Sequence, residues 1–393
     1  MSIQTRAAST FPSPTDAFWD GWRAQYPCLA RYTYLNSASI QPLPLPVAEA
    51  LGEFVRAACE GNPEALYGME VPGRLRATLA RWLGCAPEAL ALTTSTSDGL
   101  IKAVNAIPWR AGDEVVIPRN EFPSVTYPFR MAETLGARLS FAGETGQPVT
   151  EEQVLAAVTP ATRAAAFSWV SFSTGYRMDL GALARDLKAR GVEYVLVDGM
   201  QGAGVWPARL AETAVDFFAF QGVKWMAGPN GIGALYLGPG VLEKVRDSCL
   251  SWYSVPACEE YAKLTDVDLQ AFPTARRFDG GTPPWMPMVG VQAYLDALET
   301  AGIEGVAARV AHLMEALAGR LREAGLRTLL PAAGPGASSI TLLEVPGASA
   351  AYERLRAAGV VVSLRMGRIR VSPHAFNATE DFDRLVAVLR GEK

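Results

Sequence analysis

Two residues that can do chemistry stand just after apolar runs in the middle of the chain. Asp198 directly follows Val195–Val197, and Lys224 follows Phe217–Phe220 across a short turn that contains Gly222. Because open parallel sheets bind ligands at the carboxyl ends of their strands, we expect this carboxylate and this amine at one sheet edge. Each has an ordinary alternative, since an Asp in such a place often caps a turn and a lysine is usually solvated.

A third segment completes an ordered set of motifs. Gly228-Pro229-Asn230-Gly231-Ile232-Gly233 is a glycine-rich turn that leads into another apolar run. The order strand–Asp-x-x-Gln, strand–x-Gly-x-Lys, Gly-Pro-x-Gly-x-Gly resembles the class V aminotransferases throughout Leu196–Leu235. The resemblance runs from Tyr34-Leu35-Asn36-Ser37-Ala38-Ser39 to Arg370-Val371-Ser372-Pro373-His374 and so covers most of the chain.

The resemblance implies a cofactor, pyridoxal 5′-phosphate (PLP), and gives three residues a role in holding it. Lys224 matches the lysine that forms the Schiff base with the aldehyde and then carries the proton at the substrate Cα. Asp198 matches the carboxylate that pairs with the pyridinium nitrogen, whose protonated form an opposite charge favours. The protonated ring is the electron sink of the reaction. Gln201 matches a hydrogen-bond partner of the ring hydroxyl oxygen.

The phosphate of this cofactor needs donors, and a Ser/Thr run after an apolar strand offers them. Ser95, Thr96 and Ser97 precede an amphipathic stretch, where helix N-terminal N–H groups and hydroxyls suit a dianion. Such a run is equally an ordinary helix cap, but its position matches the family's phosphate-binding segment. Gln221 is a further predicted cofactor contact. Thr282, in a Gly-Thr-Pro segment, matches a residue that reaches the phosphate of the neighbouring subunit, which implies a homodimer with shared active sites.

Further positions match the family's ring-stacking and substrate-binding residues. Phe122 stands where the family stacks a residue on the cofactor ring, although core packing explains an isolated Phe as well. Arg370 matches the arginine that binds the substrate α-carboxylate through its guanidinium fork, and Asn36 is a second predicted substrate contact. Other arginines could take this role instead of Arg370, namely Arg276, Arg277, Arg365 and Arg368. A further hypothesis is an apolar pocket for the substrate side chain, lined by Tyr34, Phe172, Trp285 and Met286.

The chain also departs from the family in ways that narrow its function. No cysteine lies between Val360 and Arg370, where the cysteine desulfurases of this family carry a mobile catalytic one. Phe122 replaces the usual ring-stacking histidine, and Val223 and Gln221 replace a phosphate-binding histidine and serine. These departures argue against a desulfurase that works through a cysteine persulfide.

The resemblance and its departures predict an enzyme that acts at the Cα of a small amino acid. The predicted activity is that of an aminotransferase or a β-eliminating C–S lyase. The alternatives are an amino-acid epimerase of the isopenicillin N epimerase type and a PLP-binding protein that has lost catalysis.

The elements that must position these residues alternate in type, as in a parallel α/β sheet. Seven predicted strands lie at Ala89–Thr93, Glu114–Pro118, Arg138–Phe141, Ala164–Val170, Tyr194–Asp198, Phe217–Gln221 and Gly233–Leu237, with helices such as Val125–Leu135 and Leu180–Arg190 between them. By resemblance the fold is α/β, the type I PLP-dependent transferase fold, with a mainly parallel seven-stranded sheet. We predict an N-terminal segment 1–29 packed with the small domain, a large PLP-binding domain 30–285 and a small α+β domain 286–393.

Composition excludes several other classes of protein. The 393 residues carry a formal charge of −4 without a long basic run, which argues against nucleic acid or an anionic membrane as partner. No run of eighteen apolar residues and no signal-like start occur, and the five cysteines lack metal-type spacing. The chain has only two histidines, which argues strongly against a histidine-rich metal site. We therefore expect a cytoplasmic protein with reduced thiols and no metal.

Overall fold

The computed structural model describes residues 14–256 and 270–391, and Cys258 lies outside these ranges. The strands are β1 Thr33–Tyr34, β2 Leu90–Thr93, β3 Glu114–Pro118, β4 Arg138–Ala142, β5 Thr162–Ser168, β6 Tyr194–Asp198, β7 Phe217–Gln221, β8 Gly233–Leu237, β9 Arg327–Thr328, β10 Thr341–Glu344, β11 Val360–Val361, β12 Ser363–Arg365 and β13 Arg368–Val371. The helices are α1 Asp16–Ala24, α2 Leu45–Glu60, α3 Glu70–Leu83, α4 Thr96–Ala106, α5 Pro123–Thr126, α6 Phe129–Thr134, α7 Glu151–Ala156, α8 Leu180–Ala189, α9 Trp285–Ala297, α10 Gly302–Glu323, α11 Ala348–Ala357 and α12 Thr379–Arg390.

The large sheet has seven strands in the order β2-β8-β7-β6-β5-β3-β4. The pairs among β3, β4, β5, β6 and β7 are parallel, whereas β8 runs antiparallel to both β2 and β7. All seven predicted strands are present with small shifts at their ends. The carboxyl ends of β5, β6 and β7 therefore meet at one edge, where Asp198 ends β6.

Burial on both faces explains why these strands are continuous apolar runs in the sequence. Along β6, Val195 and Val197 pack into the core on one face, while Tyr194 and Leu196 pack into the core on the other. A strand covered on both sides has no solvent face, so hydrophobic and polar residues do not alternate in it.

A second sheet of four antiparallel strands, in the order β12-β13-β10-β9, lies in the C-terminal part of the chain. Helix α12 packs against both α10 and α11, and α11 packs against the sheet. The predicted domain boundary at residue 285 stays a prediction. Helix α9 begins at that residue and packs on α2 and α3. In the contact with α3, Gln292 of α9 donates a hydrogen bond of 3.1 Å to the Thr78 hydroxyl.

The N-terminal region packs against elements of the C-terminal part of the chain. Arg23 in α1 forms an ion pair of 2.8 Å with Asp381 in α12, and the Tyr26 ring lies 4.3 Å from that of Phe376. Strand β1 pairs in parallel with β11.

The predicted helix Val125–Leu135 is wrong in one respect, because it is two short helices, α5 and α6, that join at Pro128. Proline lacks an N–H donor and restricts the residue before it, so it interrupts a helix. None of the helices in residues 14–256 and 270–391 combines the length and the apolar composition of a membrane span. The same residues contain no group of three or more His, Cys, Asp or Glu side chains placed to hold a metal ion.

Candidate active site

A cavity of about 490 Å³ lies at the carboxyl edge of the large sheet. The structure brings nine of the eleven predicted site residues to its wall: Ser95, Thr96, Ser97, Phe122, Asp198, Gln201, Gln221, Lys224 and Arg370. These residues come from segments far apart in the sequence, so the fold itself assembles the site.

Asp198 supplies a buried carboxylate at the end of β6. Its side chain is 5% exposed, and Oδ1 accepts a hydrogen bond of 2.8 Å from the Met200 N–H. Burial raises the pKa of Asp198 to about 6, while the Met200 N–H and the Lys224 ammonium act in the opposite direction. The carboxylate is therefore mostly ionised at neutral pH and suits a cationic partner.

Lys224 follows β7 on a turn that is fastened to the next strand and to a helix. The Gly222 N–H donates to the carbonyl of Ile232, and the Gly228 N–H donates to the carbonyl of Gly222, both over 3.0 Å. A Cβ at Gly228 would come within 2.2 Å of the Val291 side chain in α9, so only glycine fits there.

The environment of Lys224 favours its neutral form. The pKa of Lys224 is lowered to about 8, mainly by burial; the charges of Arg370 and Arg365 act in the same direction and the charge of Asp198 opposes them. An appreciable fraction of the amine is therefore unprotonated near neutral pH, as a nucleophile or a base must be.

The N-terminus of α4 forms another side of the cavity. Ser95 caps this helix by accepting from the Asp98 N–H over 3.0 Å, and the hydroxyls of Ser97 and Ser124 are 2.6 Å apart. The first N–H groups of a helix have no acceptor within it, so they are available to an anion. Gly99 lets α4 approach β7 closely, because a Cβ there would lie 2.9 Å from the Ala219 Cβ.

Gln201 is buried and lines the cavity, but both ends of its amide already have protein partners. Nε2 donates to the carbonyl of Ala38 and Oε1 accepts from the Trp225 indole, each over 3.0 Å. The Trp225 ring stacks on His374, whose pKa burial lowers to about 3. His374 is thus a neutral residue behind the wall, and the predicted contact of Gln201 with a ring hydroxyl stays a prediction.

Phe122 exposes 45% of its surface and borders the space beside the amine. The Lys224 Nζ lies 6.0 Å from the centroid of its ring. The Phe172 ring meets Phe122 edge-on at 5.2 Å and holds it in place. The exposed face of Phe122 therefore suits a flat ring that stacks on it.

Arg370 is a buried cation that forms no ion pair with any acidic side chain in 14–256 or 270–391. It is 2% exposed and donates only to neutral oxygens: the Phe172 carbonyl at 3.1 Å and the hydroxyls of Ser39 at 2.7 Å and Ser363 at 3.3 Å. Its Nε has no hydrogen-bond partner. Burial, and secondarily the charge of Arg365, lowers its pKa to about 10. A buried, unpaired guanidinium in a cavity is a ready site for a carboxylate.

Two predicted site residues do not reach this cavity. Asn36 lies behind it, where its Oδ1 accepts a 2.5 Å hydrogen bond from Ser363. Thr282 lines a separate cavity of about 60 Å³ with Thr94 and Asp98. Of the hypothetical apolar pocket only Phe172 lines the main cavity, whereas Tyr34, Trp285 and Met286 do not.

Sequence reasoning assigned no role to Ser39, which lines the cavity, or to Glu121, which lies behind Ser168, a further wall residue. Arg365 also lines the cavity, although the sequence offered it only as a competitor of Arg370. A signal for Glu121 existed, since it is a carboxyl just past an apolar strand, as Asp198 is. No sequence signal separated Arg365 from the other arginines.

The family model for class V aminotransferases matches residues 33–380. Isopenicillin N epimerase of Streptomyces clavuligerus is 28% identical to this chain, over 90% of the chain and 93% of the relative. A probable cysteine desulfurase of Methanothermobacter thermautotrophicus is 26% identical over 72% of the chain and 71% of the relative. A solved structure of the cystine C–S lyase C-DES, in complex with its product cysteine persulfide, superposes with a TM-score of 0.83 at 22% identity, covering 93% of this chain and 99% of that one. This likeness confirms the predicted fold class.

Proposed function

Because this chain belongs to the class V aminotransferase family, a family of PLP-dependent enzymes, we propose that it acts with PLP at the Cα of a small amino acid. The proposed activity is that of an aminotransferase or a β-eliminating C–S lyase. One observation carries the proposal: the buried, unpaired Arg370 shares its cavity with Lys224 and Asp198.

The residues present fit the cofactor. One oxygen of Asp198 is engaged by Met200, which leaves the other for a protonated ring nitrogen. The N-terminus of α4 with Ser95, Thr96 and Ser97 suits a phosphate dianion, and the exposed face of Phe122 suits the ring. When bound through Lys224, PLP supplies an electron sink for charge that develops at Cα.

Lys224 and Arg370 would have different roles toward the substrate. Arg370 would anchor the α-carboxylate through its fork, which fixes the orientation of the Cα–H bond. Lys224, with a pKa lowered to about 8, would take the proton from Cα through Nζ and return it. Ser39, which accepts from Arg370 over 2.7 Å, holds the guanidinium in place.

The wall of the cavity argues against a persulfide-forming desulfurase. Among the described residues no cysteine lines it, and Cys28, Cys59, Cys85 and Cys249 lie elsewhere as free thiols. A desulfurase of that type needs a thiol that reaches the substrate sulfur. The desulfurase relative therefore supports the family and not this activity.

Amino-acid epimerisation is the second candidate, and the similarity to isopenicillin N epimerase over 90% of the chain favours it. An epimerase with two bases needs a second proton carrier opposite Lys224. Within the described part of the chain, the ionisable residues of the wall are Asp198, Lys224, Arg365 and Arg370. This set supports a single-base reaction, so an epimerase here would have to use Lys224 on both faces.

Product analysis in D₂O separates the candidates. The holoenzyme is incubated with a panel of amino acids while its absorption spectrum is recorded, and products are then identified. Keto acid formation with conversion of the bound cofactor to its amine form indicates transamination, and a keto acid with ammonia and no need for an acceptor indicates elimination. Inverted substrate labelled at Cα without a keto product indicates epimerisation. Absence of PLP binding or of any Cα exchange would contradict the proposal and leave a non-catalytic protein.

The lysine assignment has a matched control. We expect Lys224→Ala to retain its circular dichroism spectrum and melting transition but to lose covalent capture of PLP and at least about 10²- to 10⁴-fold of turnover. Lys244→Ala, at an exposed lysine, should behave as the wild type. Undiminished turnover in the Lys224 variant would refute the assignment.

We also propose a cytoplasmic homodimer in which Thr282 serves the partner's site. The separation of Thr282 from the main cavity of its own chain supports this arrangement. Light scattering should give twice 42.1 kDa, and Thr282→Ala should weaken PLP binding without changing that mass. A monomer that binds PLP tightly would contradict the shared site.

A further inference from the structure

The hairpin formed by β12 and β13 carries two arginines to the main cavity. Its register pairs Ser363 with Arg370 and Arg365 with Arg368. Residues directly opposite on two antiparallel strands point to the same face, so these four side chains share one face of the hairpin. The opposite face carries Ile369, which is fully buried.

A tight turn fixes the position of Arg365 in this hairpin. Met366 and Gly367, which connect the two strands, both adopt positive φ, 46° and 72°. Two such residues in succession are typical of the two-residue turns that match the twist of a hairpin. The position of Arg365 in the hairpin is therefore fixed. It lies on β12, two residues nearer the turn than Ser363, which is directly opposite Arg370.

Arg365 has no acidic partner among the described residues. Its Nη1 donates a hydrogen bond of 2.9 Å to the carbonyl of the adjacent Leu364. By contrast, the neighbouring Arg368 pairs with Glu344 at 3.4 Å. Arg365 is exposed and lines the same cavity as Arg370 and Lys224, so its guanidinium is available to an anion in that cavity.

The charges in this part of the cavity are unbalanced. Arg365 and Arg370 repel each other, and both disfavour the charged form of Lys224. The carboxylate on the wall is that of Asp198, which is committed to the cofactor ring in the proposed function. The phosphate is served by the α4 N-terminus, so Arg365 and Arg370 form a separate pair of anion-binding groups.

We propose that Arg365 binds a second anionic group of the substrate, and that the preferred substrates are amino acids with a carboxylate on the side chain. This inference rests on the proposed function, in which Arg370 holds the α-carboxylate. Diagonal neighbours across such strands are roughly 7–8 Å apart, and two arginines at that spacing can bind two carboxylates joined by a short aliphatic chain. Arg365 is thus a specificity-determining residue.

The test compares acidic amino acids with neutral ones of similar shape. The holoenzyme is titrated with L-glutamate, L-2-aminoadipate, L-glutamine and L-norvaline, and half-saturation is read from the change in the cofactor spectrum. We expect at least one acidic ligand to bind roughly ten- to a hundredfold more tightly than the neutral ones, the range of a charge-assisted hydrogen bond.

Arg365→Gln should abolish this preference by weakening the acidic ligands alone, and Arg365→Lys should restore part of it. The matched control is Arg368→Gln, which removes an arginine of the same hairpin that already has an acidic partner and should leave the preference unchanged. The affinity of the apoenzyme for PLP should be the same in all variants.

Two results would overturn the inference. In the first, the wild type shows no preference for acidic ligands; in the second, Arg365→Gln lowers the affinity for acidic and neutral ligands equally. Either result would mean that Arg365 does not bind a second anionic group of the substrate. If the same variant loses affinity for PLP, Arg365 serves the phosphate instead. Neutral amino acids that still bind and react would show that only this inference has failed, whereas no response to any amino acid would count against the proposed function itself.

Discussion

Glu121 accepts two hydrogen bonds from Ser168, one from its N–H at 2.7 Å and one from its hydroxyl. Ser168 is also the residue directly opposite Asp198 in the β5–β6 ladder. Burial raises the pKa of Glu121 to about 7, and the charge of Asp198 adds to the effect. The carboxylate proposed to hold the cofactor ring is therefore backed by a second, half-buried carboxyl group, whose pKa of about 7 lies near neutral pH.

This arrangement predicts a pH-dependent effect of Glu121→Gln on stability. With a raised pKa, Glu121 keeps its proton in the folded chain while the unfolded chain ionises between about pH 4.5 and 7. The free energy of unfolding therefore falls by up to about 3 kcal/mol as the pH rises through that window, and it falls no further at higher pH. The glutamine cannot ionise, so its melting temperature relative to the wild type should rise by several degrees from pH 5 to pH 8.

Thermal melts of the apoenzyme at several pH values check this expectation. Glu133→Gln, which removes a carboxyl paired with Arg130 on the surface, serves as the control and should show no such trend. A constant difference between Glu121→Gln and the wild type across the window would contradict the raised pKa.

The lowered pKa of Lys224 predicts how PLP capture depends on pH. Because the neutral amine reacts, the rate of capture by the apoenzyme should rise with pH and level off above about 8. Arg370→Gln removes a like charge and should move the midpoint to higher pH, whereas Asp198→Asn removes the opposite charge and should move it lower. Stopped-flow absorbance measures the rates, and a common midpoint in all three proteins would show that these charges do not act on Lys224.

Arg370→Gln should separate binding from stability. The half-saturating concentration of the amino acid should rise roughly ten- to a hundredfold, while the apoenzyme melts at the same or a higher temperature, since an unpaired buried charge is lost. The control is Arg76→Gln, because Arg76 is buried in an ion pair of 2.7 Å with Asp279. Removing it takes the nearest cation from the buried Asp279 carboxylate, which keeps only the more distant Arg276 at 3.8 Å, and should lower the melting temperature by several degrees. Equal destabilisation by both substitutions would mean that Arg370 has a structural role.

Phe122→Ala should weaken PLP binding about tenfold through loss of the stacking surface, and Phe122→Tyr should retain it. Phe141→Ala, at a comparably exposed phenylalanine on β4, is the control for the general effect of removing a ring. Dissociation constants come from titration of the apoenzyme with PLP. An unchanged constant in Phe122→Ala would place the cofactor ring elsewhere in the cavity.

The sequence by itself determined the strands and the chemical set. Strands such as Tyr194–Asp198 and Phe217–Gln221 are buried on both faces, so each is recognisable in the sequence as a continuous apolar run. The end of each run then locates the polar residues at the end of the strand. The same local signals predicted Asp198 and Lys224 at one sheet edge, whereas the phosphate-binding role of Ser95–Ser97 came from the resemblance to the class V aminotransferases. Interruption at Pro128 was missed because the apolar spacing on either side resembled one continuous helix.

Only the tertiary structure decided which arginines face the cavity and what stands behind it. Arg365, Arg368 and Arg370 have the same chemistry in the sequence, and the register of β12 with β13 and the position of Glu344 separate them. The pairing of Glu121 with Ser168 and the place of Asn36 behind Ser363 likewise depend on segments that are distant in the chain. Burial and charge pairing are properties of such long-range contacts, so no local pattern of residues encodes them.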